Sequence, residues 1–171
     1  RDKTARSDYA DWLAGLGYEA EGVNTAGTPR YGRQFAAMLP EEHGKPAFLA
    51  NHATRFLREN RDDPFILYIN FLEPHGPFNS PRDHQYDPAS MPLPESLHSE
   101  SEGPMPLRYE VRRRGSPESG LATDQDWREL IARYWGMASL VDTHTGRILD
   151  ALRETGQYDN TIIVYTSDHG E

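Results

Sequence analysis

Two apolar runs, each ending in a histidine-bearing loop, constrain this chain more than any other feature. Phe65-Ile66-Leu67-Tyr68-Ile69-Asn70-Phe71-Leu72 follows Pro64 and stops at Glu73-Pro74-His75-Gly76-Pro77-Phe78. Thr161-Ile162-Ile163-Val164-Tyr165-Thr166 follows the turn Tyr158-Asp159-Asn160 and runs into Ser167-Asp168-His169-Gly170-Glu171. Short runs rich in β-branched and aromatic residues and bounded by breakers suit strands buried on both faces, the kind found in parallel sheets covered by helices. Between them Leu130, Tyr134, Met137, Val141, Ile148 and Leu152 recur at helical spacing until Gly156, and Asp124 or Asp126 can cap the start. A strand, a long helix and a second strand make a crossover unit. The fold class is therefore α/β, a mainly parallel sheet flanked by helices, with right-handed connections.

Two further helices are expected upstream. Ser7 can cap a first one that carries Tyr9, Leu13 and Leu16 and ends at Gly17, and a second runs through Phe48, His52, Phe56 and Leu57 into the charged stretch 59–63. From Asn79 to about Asp124 the chain is rich in Pro, Ser, Gly and charge, with prolines at 81, 88, 92, 94, 104, 106 and 117. It reads as a long excursion, either a lid-like surface segment or a mobile one. Arg112-Arg113-Arg114 within it reads as a solvated patch, and Asp142 and His144 have helix-surface or packing duty inside the long helix.

With 171 residues the chain holds one domain with a modest core. A formal net charge of -9 argues against a nucleic-acid partner, which requires a basic face. No apolar run reaches the roughly 20 residues a membrane span needs, so a soluble piece is expected. With no cysteine the chain has no disulfide frame and no thiol nucleophile. Redox chemistry accordingly leaves a periplasmic, secreted or cytoplasmic location open.

If the two strands are parallel, Glu73-Pro74-His75 and Asp168-His169 leave the same sheet edge, where open α/β sheets bind ligands. Asp168 and His169 supply a hard oxygen and an imidazole nitrogen. They form either half of a divalent-cation site or a turn and cap. His75 either bonds its surroundings or positions and protonates an oxygen of an anionic ester.

The run 64–78, the block from Tyr134-Trp135-Gly136 through Val141-Asp142 to Gly146-Arg147-Ile148-Leu149-Asp150-Ala151-Leu152, and 156–171 together resemble the middle of a sulfatase, with the first sixty residues only loosely similar. The resemblance implies a partial alkaline-phosphatase-like sandwich, and makes residues 1–171 a piece of one catalytic domain with an excursion at about 79–124. It implies hydrolysis of a small-molecule or carbohydrate sulfate ester at one divalent cation, usually calcium. Asp168 matches a metal-ligand aspartate, His169 stands where the family has a ligand asparagine or histidine, and His75 matches a histidine that contacts the sulfate or leaving oxygen. The family's nucleophile is a formylglycine made within Cys/Ser-x-Pro-x-Arg, a motif this chain does not contain. The 171 residues alone are therefore expected to be inactive. The alternatives are a phosphodiesterase, phosphonate monoester hydrolase or phosphatase of the same superfamily, or a non-catalytic homologue. The substrate alcohol and the oligomeric state are not readable from these residues.

Overall fold

The structure is a computed structural model and describes residues 7–25, 27–32, 35–99, 103–115 (backbone only at 112–114), 120–121 and 123–170. Helix α1 (Asp8–Gly15) starts where Ser7 accepts from the Ala10 amide. It ends before Gly17, whose φ of 87° turns the chain out of the helix at a position where a side chain would be strained. The strands β1 (Gly22–Val23) and β2 (Pro29–Arg30) pair antiparallel, Gly22 opposite Arg30. A short helix α2 (Phe35–Met38) and a 3₁₀ turn Glu41–His43 lead into α3 (Lys45–Glu59), which opens with a proline in its first turn.

The dominant element is α5 (Asp124–Glu154), 31 residues and about 46 Å long at the usual rise. Its cap is Thr123, one residue before Asp124 and three before Asp126, the two residues expected to serve. Thr123 Oγ1 accepts from the Asp126 amide while the Asp126 carboxylate accepts from the Thr123 amide, closing a capping box. At the other end the Gly156 amide donates to Arg153 O and the Gln157 amide to Leu152 O, with Gly156 at φ 73°. That pattern satisfies the last carbonyls of the helix.

The core lies where α3 crosses α5. Ala50, Ala53 and Leu57 meet Ile148, Ala151 and Leu152, and the alanines allow the two backbones to approach closely. Gln157, 9% exposed, donates from Nε2 to Asn60 O and Leu57 O, tying the end of α3 to the end of α5.

The two expected strands differ from expectation in their pairing. Residues 64–72 and 161–166 lie outside any strand ladder among the described residues, whose sheet is the β1–β2 pair. Run 64–72 alternates: Phe65, Leu67, Ile69 and Phe71 pack on the α3–α5 core, whereas Ile66 and Tyr68 are 97% and 85% exposed. It is therefore covered on one face, not both. Ile162, Val164 and Tyr165 are likewise exposed.

The excursion is less irregular than its prolines suggest. It contains the 3₁₀ turn Pro88–Ser90, begun by Asp87 accepting from the Ala89 amide, and helix α4 (Leu107–Gly115), exposed along most of its length. Pro117 and the side chains of Arg112, Arg113 and Arg114 lie outside the described residues.

Candidate active site

The loop carrying His75 begins as run 64–72 ends. The His75 amide donates to Leu72 O at 3.1 Å, and both Glu73-Pro74 and Gly76-Pro77 are cis. The imidazole is exposed, and Nδ1 lies 2.7 Å from Gly76 O. A carbonyl only accepts, so Nδ1 carries a proton and the neutral ring presents Nε2 as its acceptor.

Asp168 and His169 follow the second run. Asp168 Oδ1 accepts from the His169 amide at 3.0 Å, and Oδ2 is 3.7 Å from His169 Nε2. His169 Nδ1 donates to Gly170 O at 2.7 Å, which makes Nε2 the basic nitrogen of the neutral ring. The side chains are 90% and 68% exposed respectively. The chemistry of this pair fits part of a cation site. One hard anionic oxygen and one imidazole nitrogen 3.7 Å apart have the spacing of neighbouring ligands on one ion, given metal–oxygen distances of about 2.3 to 2.6 Å. Among the described residues no three His, Cys, Asp or Glu side chains gather into a cage, so a cation held by this pair would need donors beyond these two.

Sequence reasoning did not single out Glu73. Its Oε2 is buried and accepts no hydrogen bond among the described residues. Burial, and next the Glu73 carboxylate, push the Tyr9 phenol well above its ordinary range. Tyr9 itself donates to His43 O at 2.9 Å and packs on Trp12 and Phe48, in the aromatic contact between α1 and α3. The available signal was an acid directly before Pro74-His75 at the end of an apolar run.

A second polar centre was equally unforeseen. Arg82 donates Nε and Nη2 to the two oxygens of Glu41, each at 2.7 Å, and Nη1 to Ser139 O and Thr143 Oγ1, each at 2.9 Å. The hydrogen bond from Arg82 holds the Glu41 carboxyl below its usual range. Beside it lies His144, 3% exposed, as expected of a packing residue. Arg147 donates to its Nδ1 at 3.0 Å and to Asn51 Oδ1 at 2.7 Å. Burial, then the Arg147 charge, push the His144 imidazole down. A shallow hollow of about 410 Å³ here is lined by Glu41, Glu42, Asn51, Thr143, His144 and Arg147. Neither it nor the groove between α3 and run 64–72 is lined by His75, Asp168 or His169.

Comparison with known proteins decides the family. A family model described as Sulfatase matches residues 4–171, which also brings in the first sixty residues. The chain belongs to the sulfatase family. It is 33% identical over 146 residues to the multifunctional alkaline phosphatase superfamily protein PehA of Trinickia caryophylli, covering 78% of this chain and 28% of that protein. It is 30% identical over 136 residues to an arylsulfatase of Clostridium perfringens, covering 77% of this chain and 27% of the relative. Among solved structures it resembles the phosphonate monoester hydrolase SpPMH from Silicibacter pomeroyi, with a TM-score of 0.64 at 27% identity, over 89% of this chain and 33% of that one. The sulfatase chain thus spans about a quarter to a third of the length of these relatives. Its fold class is the α/β class of the alkaline-phosphatase superfamily, of which the described residues form a helix-rich part.

Proposed function

We propose that the whole protein hydrolyses a sulfate ester, small-molecule or carbohydrate, at a divalent-cation site to which this chain contributes Asp168 and His169. The observation that carries the reading is the carboxylate–imidazole pair 3.7 Å apart at the end of one apolar run, together with His75 at the end of the other. Calcium is the first candidate ion. When bound, a divalent cation offsets charge on the non-bridging oxygens of the ester as the bond to the leaving group stretches. Asp168 and His169 would hold it. His75, with Nδ1–H engaged by Gly76 O, would act as the acid in its imidazolium form, giving the Nε2 proton to the departing alkoxide and returning to the neutral ring with Nδ1–H retained. The nucleophile, a formylglycine in the family, is assigned to residues outside this chain.

The likeness to a phosphonate monoester hydrolase and to a protein called multifunctional gives a second reading, in which the same groups act on a phosphonate monoester. The full-length enzyme should be assayed with 4-nitrophenyl sulfate and with a 4-nitrophenyl phosphonate monoester. A kcat/KM for sulfate at or above that for the phosphonate supports the sulfatase reading. Turnover of the phosphonate with none of the sulfate replaces it with the second, and turnover of neither removes both.

A further inference from the structure

The His75 imidazole makes its hydrogen bond within its own loop, to the next residue's carbonyl, and is otherwise open to solvent. Its position is consequently set by where the backbone on either side is fastened. Upstream, Phe71 packs on the α3–α5 core. Downstream, the chain is fixed at three successive places. The Phe78 ring meets Tyr134 of α5 with centroids 6.0 Å apart and underlies Gly76. Ser80, 3% exposed, accepts from the Arg82 amide at 3.1 Å while its own amide donates to Asp83 Oδ1 at 2.6 Å. The Arg82 side chain then spans to Glu41, Ser139 and Thr143, as described, and the Arg82 carbonyl lies against Gly136.

Of these fastenings Arg82 has the greatest reach. A planar guanidinium donating along two edges fixes direction as well as distance, which an ammonium cannot. It joins three parts of the chain: the arm leaving His75, the turn before α3, and the middle of α5. We infer that Arg82 is a positioning residue for His75, holding the downstream arm of the loop so that the imidazole lies where a leaving oxygen departs. The inference rests on the proton-donating role proposed above for His75. A displacement of about 1 Å at a reacting group is enough to cost up to about 100-fold in rate.

The test uses the full-length enzyme, an aryl ester series of rising leaving-group basicity, and a double-mutant cycle of His75→Ala with Arg82→Ala. Arg82→Ala should lower kcat by about 10- to 100-fold for the poorest leaving groups, much less for activated esters, and change KM less than kcat. On the His75→Ala background it should cost no more than about twofold, because its effect passes through a group already removed. Arg82→Lys, which keeps the charge and loses the fork, should recover part of the rate, and it replaces the alanine variant in the cycle should that one not fold. A loss that multiplies fully with that of His75→Ala, or one uniform across the series, overturns the positioning role and leaves the role of His75 standing. A His75→Ala enzyme with unchanged turnover overturns both roles, while the choice of sulfate over phosphonate is decided separately by wild-type turnover.

Discussion

His144 Nε2 lies 3.9 Å from Glu41 Oε1, buried and without a hydrogen-bond partner among the described residues, while Arg147 occupies the opposite ring nitrogen. A ring that accepts from a guanidinium at Nδ1 is neutral, and protonating it would set two donors against each other. The charged groups around it are Arg147 and Arg82, which oppose protonation, and Glu41, which favours it. Glu42 lines the same hollow.

The pH dependence of stability follows from that arrangement. The folded-state pKa of His144 lies below its ordinary value of 6.5, so in the window beneath 6.5 the unfolded chain binds the proton more readily than the folded one. The contribution of His144 is complete above pH 6.5 and is lost as pH falls toward the lowered folded value. In the full-length protein, the stability of wild type against denaturant should fall more between pH 7.5 and 5.5 than that of His144→Gln. Parallel curves would show that His144 is not the titrating group.

Gly136 and Gly146, both on α5, should respond oppositely to alanine. A Cβ on Gly136 would overlap the carbonyl oxygen of Arg82, a backbone atom, whereas one on Gly146 meets nothing within 4 Å. Alanine gains roughly 1 kcal/mol of helix propensity at either site, but overpacking costs about 1 to 3 kcal/mol. Gly136→Ala should thus lower the midpoint of chemical unfolding and Gly146→Ala raise it. A stabilised Gly136→Ala would mean that α5 and the Arg82 arm separate without cost.

For the proposed cation site, losing the anionic Asp168 should matter more than losing the neutral His169, since water replaces an imidazole more readily than a carboxylate. After dialysis of the full-length protein, metal content by mass spectrometry should fall in the order wild type, His169→Ala, Asp168→Ala, with added calcium restoring His169→Ala first. Undiminished metal in Asp168→Ala would remove that residue from the site.

Local signals were legible in the sequence where they sufficed to build the structure. Helix α5 and its stop at Gly156 follow from apolar spacing and a glycine that adopts positive φ. Its cap falls one residue before Asp124 and three before Asp126, a choice the sequence leaves open because both aspartates are as competent as Thr123, and the capping box uses Asp126 from the third position instead. Apolar run 64–72 was identified, but composition cannot say how many of its faces are covered, and Asn70 was its sole polar residue. Helix α4 was hidden by the prolines around it. His75, Asp168 and His169 stood out because breakers follow apolar runs. Arg82 and Glu41 did not, because they meet across 41 residues and nothing local to either announces the other.

The one-sided packing of run 64–72 also governs how this polypeptide behaves in company. Ile66 and Tyr68 face water on a segment whose backbone is outside any ladder among the described residues, and in the second run Ile162, Ile163, Val164 and Tyr165 are all exposed. Such segments are templates for edge-to-edge pairing and for aggregation. In a chain whose net charge of -9 opposes self-association, these two short stretches are where edge-to-edge pairing would begin.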